Sequence, residues 1–94
     1  MTLNEVITDY LSYLESVRGL SEHSIRAYRT DLARFEAYIA ERAADWTELR
    51  PADVRGFIGR LHRDELSGSS INRALSAVKG LYRYAVRYEL VQND

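Results

Sequence analysis

The sequence predicts an all-α fold, a compact bundle of four helices, and three observations support this prediction. Apolar residues recur at three-and-four spacing along four stretches of the chain, as on the buried stripe of a helix. Helix start and stop signals separate these stretches. The chain has 94 residues, of which 46% are hydrophobic and 29% charged. That size and composition are typical of one domain with one hydrophobic core.

The first helix is predicted to begin after Thr2, because the segment Thr2–Glu5 has the residues of a capping box. Gly19 follows as the C′ residue that ends the helix, and Leu20 is placed to pack back onto it. The buried stripe consists of Leu3, Val6, Ile7, Tyr10, Leu11, Leu14 and Val17. All charged residues of this helix ahead of Arg18 are acidic. Because an acidic helix repels phosphates, we expect it to face solvent or a protein partner.

The second helix is predicted to begin at Ser21, an N-cap residue, and to run for about six turns through SEHSIRAYRTDLARFEAYIAER. Its buried stripe is Ile25, Tyr28, Leu32, Phe35 and Ile39. The opposite side carries His23, Arg26, Ala27, Thr30 and Arg34, with Arg29 on a flank. The first half of this surface is basic, whereas Glu36 and Glu41 balance the second half. Any nucleic-acid contact should therefore be confined to the N-terminal half.

The third helix follows an irregular connection, residues 43–50, in which Trp46 is the expected hydrophobic plug. Pro51 marks its first turn. Its core face is Val54, Phe57, Ile58 and Leu61, with Leu66 at its end. Gly56 and Gly59 each cost about 1 kcal/mol relative to Ala inside a helix. We therefore expect this helix to be weak in isolation or to pack closely against a neighbour.

The segment Ser67-Gly68-Ser69 is predicted to end the third helix and to cap the fourth. The fourth helix, predicted from Ser69 to Tyr88, combines a core face with a basic face. The core stripe is Ile71, Ala74, Leu75, Val78, Leu81, Tyr82 and Ala85. Opposite it lie Ser69, Arg73, Ser76, Gly80 and Arg87, with Asn72, Lys79 and Arg83 on one flank. No acid occurs between Ser67 and Tyr88, in a chain whose formal net charge is −1. A solvated face normally mixes both signs, so this face is better suited to a polyanion.

Several classes of function are not supported by the residues present. The chain has no cysteine, and its two histidines, His23 and His62, lie on different predicted helices without spaced acidic partners. Gly56–Gly59 lacks the strand context of a phosphate-binding loop. No apolar run approaches the roughly 18 residues of a membrane span, and the N-terminus lacks a signal peptide's basic start. We expect a cytoplasmic protein with no metal ion, cofactor, membrane partner or small-molecule substrate.

Three segments of the chain resemble one known family when they are taken in order. They are LSEHSIRAYRTDLARFEAYI, PADVRGFIGRL and SSINRALSAVKGLYRYAV. In their order and spacing they are similar to the N-terminal core-binding domain of tyrosine recombinases, the Xer and phage-integrase group, over essentially all 94 residues. The resemblance implies a SAM-like bundle that, with a separate C-terminal catalytic domain, clamps a recombination half-site. It also implies that the second and fourth helices face double-stranded DNA.

The resemblance assigns DNA-facing positions on two helices. They are Ser24, Arg26, Arg29 and Thr30 on the second helix, and Ser69, Ser70, Asn72, Arg73, Ser76, Lys79 and Arg83 on the fourth. Two residues depart from the family pattern: Gly80 replaces a larger polar or basic residue, and Arg50 replaces a Thr or Ser cap. The first departure puts one phosphate contact in doubt, and the second weakens a helix start.

The resemblance assigns no catalytic residue to this chain. The family's Arg/Lys/His/Arg set and nucleophilic tyrosine belong to the catalytic domain, and Tyr84 and Tyr88 match no such motif. Residues 1–94 are therefore expected to be a single DNA-binding domain without catalysis of its own, with sister recombinase protomers as partners of the intact protein. The near-neutral net charge leaves an alternative open, a helical protein-interaction module whose basic face binds an acidic partner.

Overall fold

The computed structural model of the protein describes residues 1–91. It contains α1 (Leu3–Ser16), α2 (Glu22–Glu41), α3 (Pro51–Arg63) and α4 (Gly68–Arg87), with a short 3-10 helix, Trp46–Glu48, between α2 and α3. No strand occurs among the described residues, and the prediction of an all-α fold with four helices is confirmed. The polar, uncapped end expected for the tail of the chain falls partly on residues 92–94, which lie outside the described part.

The predicted starts of α1 and α3 are confirmed by their caps. The Thr2 hydroxyl accepts the Glu5 N–H at 3.1 Å, and the Glu5 carboxylate accepts the Thr2 N–H at 2.8 Å, which completes a capping box. Hydrogen bonding from Thr2 to the carboxylate, chiefly from the Thr2 backbone N–H, lowers the pKa of Glu5 because it stabilises the charged form. At α3, Pro51 is the first helical residue, and the backbone N–H of Arg50 donates to the Asp53 carboxylate at 3.0 Å. Asp53 thus compensates for the absence of a Ser or Thr cap.

The core lies where α4 packs against the other three helices and α1 packs against α2. Its fully buried side chains include Val6, Leu32, Phe35, Phe57, Leu61 and Leu81. The rings of Phe35 and Phe57 meet edge to face with centroids 5.3 Å apart. Trp46 closes one side of the core as predicted, and the Tyr82 hydroxyl donates a hydrogen bond to its carbonyl. Burial raises the pKa of Tyr82 because the surroundings disfavour the phenolate.

Nine hydrophobic positions differ from the stripes that the sequence predicts. Val17 is exposed, because α1 ends at Ser16 and Val17 is its C-cap residue. Six others are only half-buried, because they lie at the edges or ends of their stripes: Tyr28, Val54, Ile58, Leu66, Leu75 and Tyr82. Tyr38 and Ala77, in contrast, are buried in the core although neither was predicted there. Helical periodicity locates the centre of a buried stripe well. Its edges depend on how closely the neighbouring helix approaches, which periodicity does not contain.

Two glycines let helices approach each other closely. A Cβ atom on Gly56 of α3 would overlap the hydroxyl of Tyr38 on α2, so the close packing expected for this helix is confirmed at Gly56. A Cβ atom on Gly80 of α4 would overlap the hydroxyl of Tyr10 on α1. The prediction that Gly80 lies on the outward face of α4 is therefore wrong. Gly80 lies in the α1–α4 contact because the Tyr10 side chain needs the space that a side chain there would fill.

Candidate nucleic-acid interface

The two helices expected to face a polyanion, α2 and α4, begin with the same type of cap. The Ser21 hydroxyl accepts the Ser24 N–H at 3.2 Å, and the Ser67 hydroxyl accepts the Ser70 N–H at 3.2 Å. Each capping hydroxyl also donates to the side-chain hydroxyl of the same partner, at 3.2 and 3.1 Å. Ser24 and Ser70 are half-buried at these helix starts. Their own hydroxyl protons are not used in these bonds and can donate to a ligand.

The other nine predicted site residues are exposed to solvent. They are Arg26, Arg29, Thr30, Ser69, Asn72, Arg73, Ser76, Lys79 and Arg83. They lie on α2 and α4, which pack directly against each other. The tertiary structure therefore brings the two predicted groups onto adjacent helices.

Arg73 of α4 and Asp31 of α2 form a bidentate ion pair across this helix contact. Nε of Arg73 lies 2.8 Å from one carboxylate oxygen, and Nη2 lies 2.9 Å from the other. The Asp31 side chain is 1% exposed and that of Arg73 is 42% exposed. The hydrogen bond to Asp31 raises the pKa of Arg73. The expectation that Arg73 is uncompensated is therefore wrong, because the compensating acid comes from a neighbouring helix.

Asp31 is the member of this ion pair that helix-by-helix reasoning missed. Among the described residues it is the one charged side chain that is buried. A buried carboxylate needs a partner, and Arg73 supplies two hydrogen bonds to it. Within residues 1–91, Nη1 of Arg73 has no hydrogen-bond partner in the protein. Asp31 thus holds the guanidinium in one orientation and leaves one edge for a ligand. The available signal was that Asp31 lies three residues after Tyr28 and four before Phe35, which are both on the predicted stripe of this helix.

The remaining cations on the first half of α2 are more loosely held. Arg26 pairs with Glu22 one turn earlier at 2.9 Å, and both side chains are more than two-thirds exposed. Such surface pairs are weak and exchange readily with other partners. Arg29 has no acid within ion-pairing distance among the described residues, although it lines a shallow cleft with Glu15 of α1. The acidic face of α1 thus borders the basic half of α2 at this point.

Three cations of α4 form a row at intervals of four residues, here called the α4 cation row. They are Lys79, Arg83 and Arg87, all exposed. Among residues 1–91, no acidic oxygen lies within 4.0 Å of any of their cationic nitrogens. Like charges at this spacing repel each other and slightly destabilise the helix. The absence of a local acid that was predicted for this row holds for the described tertiary structure as well.

The side chains of this surface can interact with a ligand through hydrogen bonds and positive charge. Within residues 1–91, no group of three or more His, Cys, Asp or Glu side chains is arranged to hold a metal ion. In the same part of the chain, none of the helices has the length and apolar character needed to cross a membrane. What the surface can do is attract an anion and orient it by hydrogen bonds.

An all-α domain with one strongly cationic helix face is the class of protein that the fold and this surface define. The family model described as "Phage integrase, N-terminal SAM-like domain" matches residues 7–89. The chain therefore belongs to the phage-integrase family as its N-terminal SAM-like domain. The SAM-like bundle that the sequence resemblance implies is confirmed by this match.

Curated relatives support the same assignment. The chain is 37% identical over 90 residues to "Tyrosine recombinase XerC" of Treponema denticola, covering 96% of this chain and 30% of that protein. It is 44% identical over 86 residues to the protein of the same name from Pseudomonas putida, covering 90% of this chain and 29% of the relative. The chain thus spans about 30% of the length of the first of these relatives. Comparison with solved structures gave no significant match.

Proposed function

We propose that this chain is the DNA-binding N-terminal domain of a site-specific tyrosine recombinase, and that it clamps a recombination half-site through α2 and α4. Family membership and the names of the relatives support the recombinase assignment. The observation that carries DNA binding is the α4 cation row, which has no acidic partner among the described residues. Unpaired cations in a row, on a chain with a net charge of −1, are typical of a surface that meets phosphates.

The predicted residues divide into three roles in this proposal. Arg29, Lys79 and Arg83 neutralise backbone phosphates, and Arg26 joins them when it leaves Glu22. Arg73, oriented by Asp31, presents its free Nη1 edge to a phosphate or a guanine. The small polar residues bond phosphates or base edges; they are Ser24, Thr30, Ser69, Ser70, Asn72 and Ser76.

The proposal treats residues 1–94 as one core-binding domain that is linked, in the intact protein, to a catalytic domain. Sister protomers assemble with it on DNA in the cytoplasm. The chain alone neither cleaves nor joins DNA, because the family's catalytic set belongs to the separate catalytic domain and because burial raises the pKa of Tyr84, so its hydroxyl is not an activated nucleophile. Incubation with a nicked suicide substrate should yield no protein–DNA adduct on a denaturing gel. A covalent adduct through Tyr84, Tyr88 or any other residue would contradict this.

Binding to duplex DNA is tested by fluorescence anisotropy at several salt concentrations. About four or five phosphate contacts should give a slope of roughly −3 to −5 for log affinity against log salt, at about −0.9 per contact. Dissociation constants of about 10⁻⁴ to 10⁻⁶ M are expected at physiological salt, since the catalytic half of the clamp is absent. A slope near zero would contradict DNA binding and favour an acidic protein as the partner of this face.

A further inference from the structure

A groove beside the α4 cation row carries arginines that the DNA-facing set does not include. It lies between α1, the start of α2 and α4, and has a volume of about 350 Å³. Arg18 from the α1–α2 connection lines it, together with Arg83 and Arg87 from α4. Within residues 1–91, no Asp or Glu lines the groove, although the charge of Asp9 on α1 reaches Tyr84 in its wall. Three arginines therefore line one concave space that contains no acid among its own lining residues.

We propose that this groove binds a backbone phosphate of duplex DNA, with Arg18 from outside the α2–α4 face and Arg87 from the end of the α4 cation row as phosphate contacts added to the predicted set. The proposal rests on the proposed function of the chain. It extends the footprint to the α1–α2 connection, although the helix that precedes it, α1, is acidic on its outer face. Arg18 is separated from those acids by the end of the helix, because α1 ends at Ser16.

The positions of the arginines are only partly explained by local helix energetics. Arg18 and Arg87 lie at or just beyond the C-terminal ends of α1 and α4, where a cation interacts favourably with the helix dipole. Arg87 also lies over the ring of Tyr88, with its guanidinium carbon 5.9 Å from the ring centroid. Neither effect explains why both side chains converge with Arg83 on one groove. Convergence of like charges costs free energy that a bound anion offsets.

The wall of the groove is built from packed tyrosines and a glycine. The rings of Tyr10 and Tyr84 have centroids 5.4 Å apart, and Tyr13 packs on Tyr84 at 5.2 Å. Gly80 lacks a side chain where Tyr10 approaches α4, so the Tyr10 hydroxyl rests against the helix backbone. Burial raises the pKa of Tyr10 and of Tyr84, so both phenols keep their protons. A protonated phenol in the wall can donate a hydrogen bond to a phosphate oxygen.

The position of the groove favours a DNA phosphate over an acidic peptide. Ser76 and Arg83 line the groove and also belong to the predicted DNA-facing set on α4. A duplex lying along α4 therefore continues directly over the groove, where its regularly spaced phosphates present an anion. Arg18 would reach the DNA backbone from the α1–α2 connection. Such a contact positions the duplex without reading its sequence.

The test is salt-dependent anisotropy on duplex DNA with Arg18→Gln and Arg87→Gln. Each variant should lower the magnitude of the log–log slope by about 0.9. Arg18→Lys should keep the parental slope, because it keeps the charge. The matched control is Arg55→Gln, which removes an exposed arginine of α3 that does not line the groove and should leave the slope unchanged. Circular dichroism melts verify that each variant is folded.

A further variant, Lys79→Gln, separates failure of this proposal from failure of the proposed function. If Lys79→Gln lowers the slope while Arg18→Gln and Arg87→Gln do not, the groove binds no phosphate, yet α4 still binds DNA. If the parent shows no salt-dependent DNA binding, both proposals fail. Anisotropy with labelled polyglutamate is the third arm. If Arg18→Gln weakens polyglutamate binding but not DNA binding, the groove takes an acidic peptide and the proposal is overturned.

Discussion

The arginines between α2 and α3 are paired with acidic residues, whereas the cations of the α4 cation row have no acidic partner among residues 1–91. Three arginines connect α2 with α3 or its C-cap: Arg34 with Asp64 at 3.6 Å, Arg42 with Asp53 at 3.5 Å and Arg60 with Glu41 at 2.7 Å. The α4 cation row has no such acid among residues 1–91. The difference shows that the number of cations on a surface does not give the number of cations that lack an acidic partner. What matters is whether the tertiary structure places an acid opposite each one.

Arg73 lies on α4, but unlike the α4 cation row it is paired with an acid, Asp31 of α2. Its partner, Asp31, is buried, unlike the acids that pair with Arg34, Arg42 and Arg60. A buried pair contributes differently from a surface pair, because loss of one partner leaves a desolvated charge behind. Replacing Arg73 therefore tests most directly whether pairing with an acid determines what a cation contributes to stability.

The largest expected effect is that of Arg73→Ala on stability. The substitution leaves the buried Asp31 carboxylate without its two hydrogen bonds and should lower the free energy of unfolding by about 2–3 kcal/mol. An exposed, unpaired charge would cost no more than about 0.5 kcal/mol, which is the value expected from the sequence pattern alone. Urea unfolding measures the difference. Lys79→Ala is the control and should unfold like the parent.

A double variant shows whether the loss comes from the pair itself. Asp31→Ala combined with Arg73→Ala should cost less than the sum of the two single changes, because the second change no longer strands a charge. Strict additivity would mean that the two side chains stabilise the fold independently. The ion pair would then be a by-product of packing.

The next effect is on DNA affinity, and it compares Arg83 of the α4 cation row with Arg60, which is paired with Glu41. Arg83→Gln should weaken duplex binding by about fivefold to tenfold at about 0.1 M salt and lower the slope by about 0.9. Arg60→Gln should change neither, because its guanidinium already bonds both oxygens of Glu41, at 2.7 and 3.1 Å. Equal losses from the two variants would show that paired and unpaired cations bind DNA alike, and the comparison would fail.

The smallest effect is the pH dependence of the Arg60–Glu41 pair. The hydrogen bond from Arg60 lowers the pKa of Glu41 below its ordinary value of 4.5. Since the folded pKa is the lower one, the stabilisation is present above about pH 4.5 and disappears as pH falls through the folded value. The melting temperatures of the parent and Glu41→Gln should therefore converge on the acid side. Lys79→Gln, which removes a cation without an acidic partner, should show no such convergence with the parent.

The helix starts could be predicted from the sequence because they depend on residues that are close together in the chain. The caps at Thr2, Ser21 and Ser67 depend on hydrogen bonds between residues three apart, so they can be recognised in any stretch of sequence. The ends were harder to predict. Gly19 has a φ of 67° as expected, but Ala43 and Glu65 also adopt positive φ values, of 52° and 61°. Their identity gives no hint of this, since the conformation is imposed by the chain turning back onto the core.

The candidate surface was predictable where it depends on a single helix. The α4 cation row is a run of residues without a nearby acid, and four-residue spacing puts its members on one side of the helix. The contributions that join helices were not predictable in this way. Asp31 compensates Arg73 from 42 residues away, and Arg18 lines the groove from a connection outside α2 and α4, the two helices proposed to face DNA.

The sequence by itself determined four helices, their caps, the centres of their buried stripes and the one-sign face of α4, because each of these depends on residues within about one helical turn of each other. The tertiary structure alone decided that Asp31 pairs with Arg73, that Gly80 lies under Tyr10, and that Arg18 and Arg87 line the same groove. The physical reason is one of range. Hydrogen bonds, ion pairs and close packing act over a few ångströms in space, and only folding brings residues far apart in the chain within that distance.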